Sequence, residues 1–122
     1  MSQLFFALAG ISGALAVALG AFGAHALRRR LSHETIETFR IGVQYQMYHA
    51  LALLGVALAL ERSRAPVLLT SAGWLFILGT LLFSGSLYLL TLLRLRWLGS
   101  VTPLGGIAYI VGWLCLFLAA FS

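Results

Sequence analysis

Polar side chains recur at helical spacing within an apolar stretch of this 122-residue sequence. At about 100° per residue, Tyr45, Gln46 and His49 fall on the same side of a helix as Gly42. Phenol, carboxamide and imidazole groups donate and accept hydrogen bonds while remaining uncharged. Such a set could form a hydrogen-bond network between helices, or a site for a small neutral molecule, a lipid headgroup or water.

A second polar stripe follows later in the chain. Thr80, Ser84, Tyr88 and Thr91 succeed one another at spacings of four, four and three residues, with Ser86 to one side. Inside a membrane, both stripes avoid lipid only if they point into the protein. We therefore expect the two stripes to face each other within one protomer.

The candidate ligand-binding residues all lie in the half of the protein that carries most of the arginines. His25 ends the first apolar run in that half, and Gly105 and Gly106 begin the last run there. We expect these three residues to close a ring around the two stripes. The full set of candidates is His25, Tyr45, Gln46, His49, Ser84, Ser86, Tyr88, Gly105 and Gly106.

The chain is poorly supplied with catalytic groups. It has no Asp, Asn or Lys, and its three Glu residues lie outside the apolar runs, so no carboxylate can orient a buried histidine as in a Ser-His-Asp triad. A zinc site needs four ligands, and a haem between His25 and His49 would have to bridge a depth difference of about 8 to 10 Å. We therefore expect neither an enzyme nor a bound metal or other cofactor.

Four long uncharged runs must position these candidates. The eight Arg and three Glu residues are confined to residues 28–40, 61–64 and 94–96, which leaves four runs of about twenty or more residues, the length of a membrane-spanning helix. Only 9% of the residues are charged, against about a quarter in soluble proteins. We predict an all-α, integral membrane four-helix bundle that forms one domain over residues 1–122. Its expected spans are residues 4–27, 41–60, 67–93 and 103–121, to within a few residues.

A short amphipathic stretch is expected before the second span. Ser32 is a favourable N-cap, and Glu34 and Glu37 would complement the positive end of the helix dipole. We predict that the second helix begins near His33 and that residues 32–40 lie in the cytoplasmic headgroup region.

The arginines indicate lipid contacts and orientation. The net charge is +5, but all basic residues are arginines near the ends of apolar runs, where they meet phosphate headgroups and not nucleic acid. We expect Arg28, Arg29 and Arg30 to contact anionic headgroups. The first and third loops carry six arginines and the middle loop two, which predicts cytoplasmic first and third loops and N- and C-termini outside.

Small residues form a ridge on the first helix. Ser12, Ala16, Gly20 and Ala24 follow one another at a spacing of four, which lets another helix approach closely. The ridge could serve packing within one bundle or between protomers, and we expect a homo-oligomer.

Four segments, taken in order, resemble a known family. They are residues 20–25 (GAFGAH), 39–49 (with YQ at 45–46 and YH at 48–49), 82–88 (LFSGSLY) and 102–106 (TPLGG), the last followed by Gly112 and Trp113. They resemble the small bacterial membrane proteins called domain of unknown function four-twenty-three (DUF423), an uncharacterised protein family with similar eukaryotic transmembrane proteins. The resemblance implies a multi-pass protein of the bacterial inner (plasma) membrane whose motifs coincide with the polar and glycine positions above. It implies no particular activity.

Two functions from different classes follow. The leading interpretation is binding or passage of a small neutral or lipid-like molecule through the polar intramembrane cluster, because the family motifs fall on these positions. The alternative is a structural or assembly subunit of a larger membrane complex, in which the cluster only specifies the fold. A cavity lined by Gln46, His49 and Ser84 would favour the first function. A fully hydrogen-bonded interior beside an exposed face of small residues would favour the second.

Overall fold

The computed structural model describes every residue from Met1 to Ser122. Its α-helices are α1 (Ser2–His25), α2 (His33–Leu60), α3 (Pro66–Gly79), α4 (Gly85–Leu92) and α5 (Thr102–Ala119), and a π-helical segment (Thr80–Ser84) joins α3 directly to α4. We call α3, the π-helical segment and α4 together the third span. The chain has four helices long and apolar enough to cross a membrane and no strand, which confirms the prediction of an all-α, four-helix membrane protein.

The helix starts follow from local sequence. The Ser32 hydroxyl caps α2 by accepting a hydrogen bond from the Thr35 backbone N–H at 3.2 Å, as predicted. Pro66 and Pro103 lie in the first turns of α3 and α5, where the missing N–H would have no helical partner.

The central helix is α2. It packs against α1 and against the third span, and α5 packs against the third span as well. With 28 residues at ~1.5 Å per residue, α2 is about 42 Å long and exceeds the ~30 Å hydrocarbon core of a bilayer. Its first turns therefore reach the headgroup region, so the expected amphipathic stretch is the continuous start of α2.

The apolar core lies toward the termini. Phe5, Val56 and Phe76 are among its fully buried side chains. At this end α1 meets α3, with the Phe5 ring edge-on to the ring of Trp74 at a centroid separation of 5.4 Å. Nearer the arginine-rich loops, α1 packs against α2 while a groove separates it from the third span.

The small-residue ridge of α1 packs within the protomer. Ala16 is buried, and a Cβ atom at Gly20 would lie 3.4 Å from the Val43 side chain of α2. Gly10 and Ala14, beside the ridge, are exposed. The ridge thus serves contact with α2, and an exposed strip of small residues remains next to it.

Helix α5 approaches the third span backbone to backbone. A Cβ atom at Gly105 would overlap the backbone nitrogen of Phe83 and lie 2.8 Å from the carbonyl carbon of Leu82. Only glycine allows this approach, because the obstructing atoms belong to the main chain. Gly105 therefore sets the distance between α5 and the π-helical segment.

Candidate functional site

Gln46 ties three helices together. Its side chain is buried, with 4% of its surface exposed. Nε2 donates a hydrogen bond to the Ser12 carbonyl oxygen of α1 at 2.9 Å, and Oε1 accepts one from the Tyr88 hydroxyl of α4 at 2.6 Å. A single carboxamide thus connects α2 to both of its neighbours.

His49 uses both ring nitrogens inside the protein. Nδ1 lies 2.7 Å from the Tyr45 carbonyl oxygen, which can only accept, so Nδ1 carries the proton and donates. Nε2 accepts a hydrogen bond from Trp113 Nε1 of α5 at 3.0 Å. The two bonds specify a neutral imidazole, and the ring stacks on Tyr109 at a centroid distance of 3.5 Å. His49 is buried, and its bond to Trp113 links α2 to α5.

The two polar stripes face each other. Ser84 Oγ donates a hydrogen bond to the Gly42 carbonyl oxygen at 2.6 Å, and Ser84 is fully buried. A Cβ atom at Gly42 would come within 2.9 Å of the Tyr88 ring. Together with the bond between Gln46 and Tyr88, this contact confirms the expected opposition of α2 and the third span.

A further pair links α5 to the π-helical segment. The Tyr109 hydroxyl donates to Thr80 Oγ1 at 3.0 Å. The Thr80 hydroxyl makes no hydrogen bond as a donor, so its own hydrogen has no protein acceptor. Its position in a π-helical turn matters, because such turns are frequent at functional sites.

Other candidates lie at the margin of this network. Ser86 bonds to Thr102 Oγ1 at 2.6 Å and to the Phe83 carbonyl oxygen at 2.8 Å, in a separate pair near the start of α5. The Tyr45 ring is 39% exposed and stacks on Phe83 with centroids 4.7 Å apart. Gly106 follows the packed Gly105 and has no close neighbour at its Cβ position.

His25 lies away from the polar cluster. It is exposed at the end of α1 and lines a separate cavity with Phe22, Arg29 and Arg30. The expectation that His25 closes the ring is wrong. His25 follows Gly23 by two residues, about 200° around α1, and Gly23 is the position that contacts Phe39 of α2, so His25 points to the opposite side.

Trp113 was missed among the candidate residues, although it bonds directly to His49. Its sequence signal is its place four residues after Tyr109, which puts both aromatic residues on one face of α5. The Ser12 carbonyl group has no such signal, because every residue of a helix has a carbonyl group.

A groove of about 340 Å³ lies between α1, α2 and the third span. Nine of its fifteen lining residues are Leu, Ile, Ala or Phe, one is Gly85, and five carry hydrogen-bonding side chains. We call it the lateral groove, since Ile11, Leu15 and Leu81 on its edges are at least half exposed toward the surrounding lipid. Its polar lining comes from Ser12, Gln46, His49, Thr80 and Tyr88. Ser84 does not line it.

Every buried polar side-chain atom of the interior takes part in at least one hydrogen bond. No buried side-chain nitrogen or oxygen lacks a hydrogen-bond partner. No three His, Cys, Asp or Glu side chains converge as a metal site would require. These hydrogen bonds are therefore suited to fixing the relative positions of the helices.

Comparison with known proteins places the chain among small membrane proteins. The profile of a family described as "Protein of unknown function (DUF423)" matches residues 19–106, which include all nine candidate residues. UPF0382 membrane protein YwdK of Bacillus subtilis is 44% identical over 118 residues, covering 97% of this chain and 96% of that protein. UPF0382 inner membrane protein YgdD of Escherichia coli is 41% identical over 119 residues, covering 98% of this chain and 90% of that protein. No solved structure matches the chain.

Proposed function

This chain belongs to the DUF423 family of membrane proteins, and we propose that it is an inner-membrane protein that binds a neutral, lipid-like molecule in the lateral groove. The observation that carries the proposal is the combination of an apolar groove within the membrane spans and a Thr80 hydroxyl there with no acceptor in the protein. The fitting occupant has a hydrocarbon chain and one carbonyl or hydroxyl oxygen.

The size and lining of the groove support this occupant. Its volume of about 340 Å³ falls within the roughly 300 to 1,000 Å³ typical of small-molecule sites. A hydrocarbon chain would contact Ile11, Leu15 and Leu81, while an oxygen near Thr80 would accept the free hydroxyl hydrogen. A charged group would find no counter-charge there, because the groove has no ionised side chain.

The hydrogen bonds of Gln46 and His49 support the proposed binding by fixing part of the groove wall. Gln46 and His49 contribute to the groove wall and are held by bonds to α1, α4 and α5. A wall whose side chains are already fixed loses little further freedom when a ligand binds. No carboxylate lines the groove, so the proposed role is binding without chemical conversion.

The location and orientation form part of the proposal. The relative from Escherichia coli is named an inner membrane protein. Six arginines in the first and third loops, against two in the middle loop, support cytoplasmic first and third loops and exterior termini.

The decisive experiment fills the groove without disturbing the bundle. Gly85 lines the groove, and a Cβ atom there would lie 3.9 Å from its nearest neighbour, the Thr80 carbonyl oxygen. The Gly85→Leu side chain should therefore occupy the groove, whereas Gly55→Leu adds the same side chain at an exposed, open site of α2.

The probe for both variants is 1-hexadecanol, with hexadecane as the matched chain without an oxygen. Native mass spectrometry of the detergent-purified protein should show hexadecanol on the wild type and on Gly55→Leu, and little on Gly85→Leu. Equal binding by Gly85→Leu and Gly55→Leu would contradict the proposed site.

The role of the Thr80 hydroxyl can be isolated in a Tyr109→Phe background. Tyr109→Phe removes the bond between Tyr109 and Thr80, so adding Thr80→Val then changes only the hydroxyl offered to the ligand. We expect the added substitution to weaken hexadecanol binding by about 0.5 to 2 kcal/mol and to leave hexadecane unaffected. If the added Thr80→Val substitution weakened the binding of hexadecanol and hexadecane equally, the hydrogen bond assigned between Thr80 and the ligand oxygen would be contradicted.

The complete pairing of buried polar groups favours a second candidate function, a structural or assembly subunit. In this case the exposed strip with Gly10 and Ala14 would pack against a second copy or another membrane protein. Neither probe would then bind the wild type, and Gly10→Leu would reduce the oligomer mass observed by native mass spectrometry.

A further inference from the structure

A second cavity lies outside the lateral groove, where α1 ends and α2 begins. It has a volume of about 500 Å³ and lies between the last turns of α1 and the first three turns of α2. This position corresponds to the headgroup region, because α2 is longer than the hydrocarbon core and its charged residues, Glu34, Glu37 and Arg40, all lie at this end. We call it the headgroup cavity.

The polar lining of the headgroup cavity favours anions. Arg28 from the first connection and Arg40 and His33 from α2 line it, with Glu37 as its one acidic residue. Glu37 Oε1 pairs with Arg40 Nη1 at 3.2 Å, which is the only ion pair in the chain. Arg28 has no acidic partner, so the cavity retains an uncompensated guanidinium group.

The deeper lining is apolar. Gly20 and Gly23 of α1 pack closely against Val43 and Phe39 of α2 at the base of the cavity. A Cβ atom at Gly23 would come within 2.8 Å of the Phe39 ring, so glycine is needed for this shape. The cavity therefore has a basic opening and an apolar base. A phospholipid presents the matching groups in the same order, with its phosphate group at the opening and the start of an acyl chain at the base.

The three adjacent arginines of the first connection line two different cavities. Arg28 lines the headgroup cavity, whereas Arg29 and Arg30 line the separate cavity that contains His25. Three adjacent arginines would all attract anionic lipid through their general charge. Only Arg28 shares a cavity with Arg40. A defined lipid site therefore requires Arg28 and Arg40, whereas general attraction of anionic lipid would involve all three arginines of the triplet equally.

We infer that the headgroup cavity is a specific binding site for a phosphate ester, supplied by an anionic phospholipid of the same leaflet, with Arg28 and Arg40 as the phosphate ligands. Guanidinium groups bind phosphate oxygens through paired, charge-assisted hydrogen bonds. The apolar base favours a phospholipid over free phosphate, since free phosphate would leave that surface uncovered.

The test compares two double variants that remove the same charge. Arg28→Gln/Arg40→Gln removes both arginines of the headgroup cavity, and Arg29→Gln/Arg30→Gln removes two arginines of the same loop that lie outside it. The probes are phosphatidylglycerol and phosphatidylcholine with identical acyl chains. Native mass spectrometry of the full-length protein in detergent measures the affinity for each lipid.

We expect the wild type and Arg29→Gln/Arg30→Gln to prefer phosphatidylglycerol, and Arg28→Gln/Arg40→Gln to bind it at least about tenfold more weakly than the matched control. Millimolar inorganic phosphate should leave phosphatidylglycerol bound. Equal affinities of the two double variants, or no preference between the two lipids in the wild type, would overturn the site. Complete displacement by inorganic phosphate would overturn the assignment to a lipid.

Discussion

The adjacent glycines of α5 should respond in opposite ways to alanine. A Cβ atom at Gly105 would overlap the backbone nitrogen of Phe83 and lie 2.7 Å from the Phe83 Cβ atom. A Cβ atom at Gly106 would have its nearest neighbour at 3.9 Å, the Phe83 ring, which is an ordinary contact. We expect Gly105→Ala to destabilise the protein and Gly106→Ala to preserve or raise its stability.

The expected difference in stability between the two variants follows from two contributions to the free energy of unfolding. Replacing glycine by alanine inside a helix is favourable by about 0.5 to 1 kcal/mol, and this gain applies equally to both positions. Forcing an extra methyl group into a packed contact costs about 1 to 3 kcal/mol. The backbone of Phe83 cannot rotate away, so the full cost applies at Gly105 and not at Gly106. The two variants should therefore differ by about 1 to 3 kcal/mol in free energy of unfolding.

Unfolding by sodium dodecyl sulfate in mixed micelles, followed by tryptophan fluorescence, measures this difference. Trp113 of α5 lies against His49 and Phe76 in the folded protein, so its emission reports separation of α5 from the bundle. Equal stability of Gly105→Ala and Gly106→Ala would refute the inferred backbone contact between α5 and the π-helical segment.

Three further predictions concern the network and the orientation. Gln46→Leu removes two hydrogen bonds and should lower the free energy of unfolding by about 1 to 3 kcal/mol in the same assay, whereas Gln44→Leu at an exposed position should have little effect. Trp113→Phe keeps an aromatic ring but removes the donor to His49, so a loss of about 0.5 to 2 kcal/mol is expected. Because Trp113 is the fluorescence reporter, circular dichroism follows the unfolding of this variant, and an unchanged stability would argue against this bond. A reporter fused after Ser122 should be active outside the cytoplasm; activity only in the cytoplasm would reverse the proposed orientation.

Much of the candidate site could be predicted from helical periodicity. The side chains of Gln46, His49 and Ser84 are buried, as expected for polar residues that avoid lipid. His25 was misplaced because its distance from the arginine triplet gave its depth in the membrane but not its direction around the end of α1. Depth follows from counting residues along a helix, whereas direction depends on which face of α1 packs against α2, here the face of Gly23.

The sequence by itself determined the number of spans, the helical class and the polar character of the interior. These properties are local, since a bilayer requires about twenty apolar residues per helix and every backbone polar group must bond within its own segment. Helical spacing also determined which residues share a face.

Only the tertiary structure decided how those faces combine. The partner of His49 is Trp113, far along the chain, and Gln46 bonds to a backbone carbonyl of α1 that no side chain distinguishes. The lateral groove exists because α1 meets α3 near Phe5 but is separated from the third span farther along its length. Spacing along a single helix contains no information about the angle and separation of neighbouring helices, which depend on close contacts such as that between Gly105 and Phe83.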